Sequence, residues 1–243
     1  LPTPTIADGS KYFDTKLYSG TGSSQNITGL NFGPDWVWTK ARSHADFHTL
    51  IDAVRGSSKT LYSNDTAAEG TDATGITAFN SDGYSLGANT TAGSVNASGR
   101  SYVSWNWDAG TSTVTNNDGS IASQVRASAA SGFSIVSWTG GAAGSTVGHG
   151  LNAAPELIIA KSRTTTQPWV VYHKSLGKGG VLQLHDTAAN ITSYSEYWGA
   201  NEPSSSVFGT YTGSSPWANN YGDMISYCFA PVAGYSAMGS YTG

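Results

Sequence analysis

Charge is scarce in this chain: only 12% of its 243 residues are charged, about half the share found in an average soluble domain. The 12 Lys and Arg are outnumbered by 16 acids and spread along the sequence. No basic patch is left to neutralise a phosphate backbone, which excludes nucleic acid as a partner. The single cysteine, Cys228, excludes an internal disulfide. The five histidines, His44, His48, His149, His173 and His185, form no Cys/His cluster with Cys228, so neither a metal nor another cofactor is expected. No apolar run approaches the roughly 18 to 20 residues that span a bilayer, and no basic-then-apolar leader precedes LPTPTIADGS. No membrane partner is expected, and a start at Leu1 reads as a piece excised from something longer.

What is abundant is Gly (30 residues), with many Ser, Thr and Asn, together with 8 Trp, 13 Tyr and 7 Phe. Large apolar rings can offset the entropy of ordering, which excludes a disordered chain. The composition is that of a folded, loop-rich β protein.

An internal repeat sets the organisation. GLNFGPDWVWTKARS from Gly29 lies over GLNAAPELIIAKSRT from Gly150, and TLYSNDTAAE from Thr60 over VLQLHDTAAN from Val181, in one ungapped register. Pro34/Pro155, Lys40/Lys161, Arg42/Arg163 and the run DTAA are identical. Further on, YVSWNW (102–107) faces MISYCF (224–229). A period of about 120 residues exceeds solenoid repeats of roughly 20 to 50, so each copy is expected to be a domain. We place the first copy, with an N-terminal arm, at 1–125 and the second at 126–243. A related phrase opens each unit, KYFDTKLYSG (11–20) and GFSIVSWTG (132–140), and returns as GYSAMGSYTG (234–243). That last segment is either the start of a further copy or a strand returning to the sheet.

Within a copy, short alternating runs are separated by Gly, Asn, Asp and Ser clusters, the pattern of strands and turns. HADFHTLIDAVRG (44–56) has some helical spacing, but its counterpart carries Pro168 and β-branched residues, so both read as strands. The expected fold class is all-β, two tandem antiparallel β-sandwich domains. Their cores are expected at Trp36, Trp38, Trp105 and Trp107, and at Ile158, Ile159, Tyr227 and Phe229.

Catalytic patterns are few. The four glutamates, Glu69, Glu156, Glu196 and Glu202, include none two residues from another acid, the strand spacing that sets two carboxylates on one face for acid–base work. Acids on distant strands can still meet. G-x-S-x-G occurs as Gly83-Tyr84-Ser85-Leu86-Gly87, but a hairpin turn at Asp82-Gly83 explains it better than a strand-to-helix nucleophile elbow. No catalytic residue is therefore assigned. Lys40 and Arg42, matched by Lys161 and Arg163, either meet an anionic ligand or end a strand, where they satisfy local carbonyls or pair with a nearby Asp. Asn-x-Ser/Thr triplets at Asn26, Asn64, Asn89, Asn96 and Asn190 read as surface glycosylation acceptors or as mere composition.

Tyr194, Tyr197, Trp198, Tyr211, Trp217 and Tyr221 lie in polar stretches of the second copy without counterparts in the first. Rings among amides and hydroxyls can stack on sugar faces and bond sugar hydroxyls, and these six are the candidate ligand-binding residues. The alternative is that they fill gaps beneath long loops.

The phrases GPDWVWTKARSHADFHTLIDAVRGSSKTLYSNDTAAE, ITAFNSDGYSLG, GHGLNAAPELIIAKSR, WVVYHKSLG and YCFAPVAGYSAMGSYTG resemble a family of phage-encoded, virion-associated tail or tail-fibre proteins. The resemblance implies concanavalin-like or SPRY-like jelly-roll sandwiches repeated in series on a phage particle. Their implied partners are other virion proteins, further copies of the same chain and, through receptor binding, a host surface glycan. The expected function is a non-enzymatic virion component. A purely structural decoration or filament subunit and a polysaccharide depolymerase remain the competing readings.

Overall fold

The alternating runs form strands, and the chain divides into two units, residues 8–109 and residues 1–7 with 110–243. The computed structural model describes residues 3–89, 94–189, 191, 194–213 and 219–241. In the first unit the strands are β1 (Phe13–Ser19), β2 (Gln25–Ile27), β3 (Trp36–Ala41), β4 (Thr49–Asp52), β5 (Lys59–Tyr62), β6 (Gly70–Thr71), β7 (Ile76–Asn80), β8 (Gly83–Leu86) and β9 (Ser101–Trp107). They form a six-stranded sheet, β1-β9-β3-β4-β5-β6, and a three-stranded sheet, β2-β8-β7. Ile27, Ile76, Tyr84 and Leu86 of the smaller sheet pack against Val37 and Ile51 of the larger one, which makes the unit a sandwich. The segment with helical spacing is strand β4.

The second unit holds β10 (Val114–Asn116), β11 (Ser123–Ser128), β12 (Phe133–Thr139), β13 (Thr146–Gly148), β14 (Leu157–Ser162), β15 (Val170–His173), β16 (Leu182–Gln183), β17 (Val207–Gly209) and β18 (Asp223–Phe229). Its large sheet runs β10-β11-β12-β18-β14-β15-β16, and among the described residues its second layer contains the pair β13-β17. The orders β1-β9-β3-β4-β5 and β12-β18-β14-β15-β16 match. Trp36 pairs with Trp107 and Asp52 as Leu157 pairs with Phe229 and His173. Segments aligned in the sequence thus occupy like places in the two sheets.

Three sequence expectations need adjustment. The division falls after Ala109, not Val125, because β11 pairs along its length with β12. Residues 1–7 also group with the second unit, where the Thr5 N–H donates to the Ala233 carbonyl at 3.0 Å. The expected tryptophan core does not lie between the two sheets. Val37 faces the Tyr84 core, so Trp36 and Trp38 point to the opposite side of the sheet. Trp105 and Trp107 alternate with Ser104, whose hydroxyl accepts from the Tyr84 hydroxyl at 2.8 Å, and they share the side of Trp36. Of these four rings only Trp36 is buried. By the same alternation Ile158 and Cys228 enter the second core, while Ile159 and Tyr227 are buried on the far side.

The third correction concerns the triplets. Asn89 and Asn96 are buried, and Asn96 is a four-bond clip rather than a glycan acceptor. Its Oδ1 accepts from the Thr21 N–H (3.0 Å) and Gln25 Nε2 (2.6 Å), and its Nδ2 donates to the Ser23 (2.7 Å) and Gly87 (2.8 Å) carbonyls. Asn219 plays a like part in the second unit, bonding the Tyr211 N–H (2.8 Å) and the Gly209 carbonyl (3.3 Å).

Ser85 lies on β8 after the Ser81-Asp82 turn and accepts from Asn80 Nδ2 at 3.0 Å, as a hairpin residue would. Lys40 and Lys161 each donate to the next residue's carbonyl, Ala41 at 3.3 Å and Ser162 at 2.8 Å. The first two copies of the opening phrase form β1 and β12. Between Gly234 and Tyr241 there is only an isolated bridge, Val232 to Ser236, and Tyr241 is 94% exposed.

Candidate functional site

The six candidate aromatics do not share one open face. Tyr197 and Trp198 are fully buried in the second core, with Tyr194 and Tyr211 half-buried against it. Tyr194, Tyr197 and Tyr211 meet with ring centroids 5.2 to 5.3 Å apart, and Trp198 lies 5.6 Å from Tyr197. Tyr221 is 47% exposed and outside this cluster, and Trp217 lies outside the described residues. The physical reason is the thin second layer. The first unit fills it with the β7-β8 hairpin, whereas the second has two three-residue strands and covers the sheet with rings from its loops. Tyr197 and Trp198 are therefore core residues, which corrects their reading as an exposed stacking surface. Burial, with the neighbouring Tyr194 and Tyr211, pushes the Tyr197 hydroxyl well above the ordinary phenol range.

The second unit instead presents a cleft of about 350 Å³ walled by Pro155, Glu156, Tyr172, Lys174, Glu202 and Pro203. It is built from differences between the copies on a shared backbone. The Asp35 and Glu156 N–H groups donate to Trp107 and Phe229, and their carbonyls accept from Ala53 and Lys174. In the first unit the short Asp35 side chain turns inward and accepts from the Ala109 N–H at 2.8 Å. Glu156 is one methylene longer and instead takes Lys174 Nζ at 2.5 Å. Tyr172 stands where the first copy has Ile51, so a hydroxyl reaches past the core into the cleft. Glu202 arrives on segment 199–206, ahead of β17, where the first unit has the tight turn into β8.

Glu202 is held from two sides. Its Oε2 accepts from the Tyr172 hydroxyl at 2.9 Å and its Oε1 from the Lys178 N–H at 2.9 Å. A Cβ at Gly177 would stand 3.1 Å from Oε1, and Gly177 has φ +67°, so glycine is needed beneath the carboxylate. Burial first, then the Glu202 hydrogen bond and the Glu202 and Glu156 charges, push the Tyr172 hydroxyl well up, which keeps it a donor.

Buried His149 supports the same segment. Its Nε2 donates to the Ser204 carbonyl at 3.2 Å, and its Nδ1 accepts from the Leu151 N–H at 3.3 Å. Burial holds the imidazole below its ordinary value, opposed by the Ser204 bond and Asp118. A lowered folded value means that the stabilisation is complete above the unfolded value of about 6.5 and is lost as pH falls below it. Melting curves between about pH 7.5 and 5 should show that loss in the wild type and a flatter profile in His149→Gln; parallel profiles would contradict the assignment.

Sequence reasoning saw Glu156 and Glu202 only as isolated acids. The signal available was the copy-to-copy contrast at Asp35/Glu156 and Ile51/Tyr172. Among the described residues no group of three or more His, Cys, Asp or Glu could hold a metal ion. No curated protein and no solved structure matches the chain. The model of a domain family of unknown function, DUF7483, matches residues 8–243 across both units, and the chain belongs to that family.

Proposed function

We propose that the chain is a non-enzymatic component of a phage virion, in the tail fibre or receptor-binding apparatus, that recognises a neutral glycan on the host surface. The virion part rests on the sequence resemblance. The recognition part rests on one observation, the cleft that sets Pro155, Pro203 and Tyr172 beside the carboxylates of Glu156 and Glu202. Apolar walls suit the flat face of a sugar ring, and carboxylate oxygens accept from its hydroxyls.

The meeting of two glutamates in one cleft also raises the depolymerase reading. A glycosidase needs one carboxyl that donates a proton to the leaving oxygen. Here both side chains act as acceptors, Glu156 from Lys174 and Glu202 from Tyr172 and the Lys178 N–H, an arrangement that suits holding a ligand better than cleaving it. Purified chain added to host cells should reduce phage adsorption, Glu202→Gln should compete less well, and no reducing ends should be released. Release of reducing ends that Glu202→Gln abolishes would replace recognition with hydrolysis.

A further inference from the structure

We infer that the Glu202 cleft is one half of a two-subsite groove whose ligand is a neutral oligosaccharide of at least two units; this rests on the glycan reading above. A second cleft, also of about 350 Å³, borders the same segment and is walled by Thr146, Asn201, Glu202, Ser204 and Val207. Glu202 is common to both. Each is at the small end of the roughly 300 to 1,000 Å³ range of ligand sites, which is room for about one sugar ring.

The two halves differ in chemistry. The first offers proline and tyrosine surfaces with a cation, Lys174. The second sets the Asn201 amide beside a mainly apolar lining of Ala200, Val207 and glycine, because its Ser204 and Thr146 hydroxyls are already engaged with Val207 and Ser120. The wall between them is fixed. Gly199 takes φ +93°, and a Cβ there would stand 2.7 Å from the Gly209 Cα, so the segment lies directly against β17. Ser204 is pinned from both ends, its carbonyl by His149 and its Oγ by the Val207 N–H at 3.1 Å.

Glu202 has the acceptor capacity to serve both halves. A carboxylate has about four lone-pair sites, and Tyr172 and the Lys178 N–H occupy one on each oxygen. Each oxygen therefore retains capacity for a sugar hydroxyl.

The test is a binding titration with mono-, di- and tetrasaccharides of glucose, galactose, rhamnose and N-acetylhexosamines, using wild type, Asn201→Ala and Lys174→Ala, each checked for an unchanged melting curve. In the series that binds, the disaccharide should bind about tenfold or more tighter than its monosaccharide. Asn201→Ala should remove that gain and spare the monosaccharide, while Lys174→Ala should weaken both. Equal affinity for mono- and disaccharide would overturn the two-subsite inference and leave glycan recognition standing. No binding by any member of the panel would overturn both.

Discussion

Arg55→Ala should destabilise the first unit by about 3 to 5 kcal/mol, the usual effect of removing one partner from a buried ion pair. Arg55 Nε meets Asp52 Oδ2 at 2.5 Å with both side chains fully buried. The guanidinium also donates to the Leu50 carbonyl at 3.0 Å and the Lys59 carbonyl at 3.2 Å, and it reaches Glu69 at 3.3 Å. Losing it leaves the Asp52 charge in the interior without this cation, while the residue 54 and 55 N–H groups still reach its Oδ1. The pair is not intrinsic to the fold, since the aligned positions of the second copy are His173 and Leu176. Replacing both Asp52 and Arg55 with Leu should therefore recover much of the loss. Urea unfolding of the single and double variants measures this. A single-variant loss below about 1 kcal/mol would place the pair with exposed salt bridges.

Trp198→Ala should cost the second unit about 3 to 5 kcal/mol, as large-to-small core changes do. Trp198 is fully buried, packs edge-on to Tyr172 at 5.8 Å and donates from Nε1 to the Gly180 carbonyl at 3.2 Å. Its loss removes that bond and the ring beneath Tyr172, and with it support for the cleft. Tyr221→Ala, at an exposed site, should change stability by less than about 0.5 kcal/mol. A Trp198→Ala protein that melts with the wild type would return this ring to the surface role suggested by its polar context.

That reversal shows where the sequence is legible. Strands and turns follow from local alternation and turn chemistry, although the hairpin read at Asp82-Gly83 turns one residue earlier, at Ser81-Asp82, with Gly83 paired to Asn80, and the aligned phrases lead to like strand orders. Which face of a strand meets the other sheet does not follow when both faces are apolar. Trp36, Val37 and Trp38 are all large and apolar, and the period of two is silent about direction. The same limit applies to the SYSEYWGANEP stretch. Its rings sit among polar neighbours, but their burial is decided by how few strands the second layer contains. Glu156 and Glu202 were hidden for a different reason. They are far apart in the chain and meet through the β14-β15 register and a loop, which no spacing rule encodes.

The most direct test of the central claim is a titration of purified host surface polysaccharide into the wild-type chain and Glu202→Gln at low and high salt, with reducing ends assayed in the same samples. The account predicts weak binding by the wild type that barely changes with salt, because a neutral ligand leaves little long-range electrostatics to screen. It predicts a loss of about tenfold or more in Glu202→Gln, and intact polysaccharide throughout. Equal binding by the two proteins, or polysaccharide shortened by the wild type alone, would contradict it.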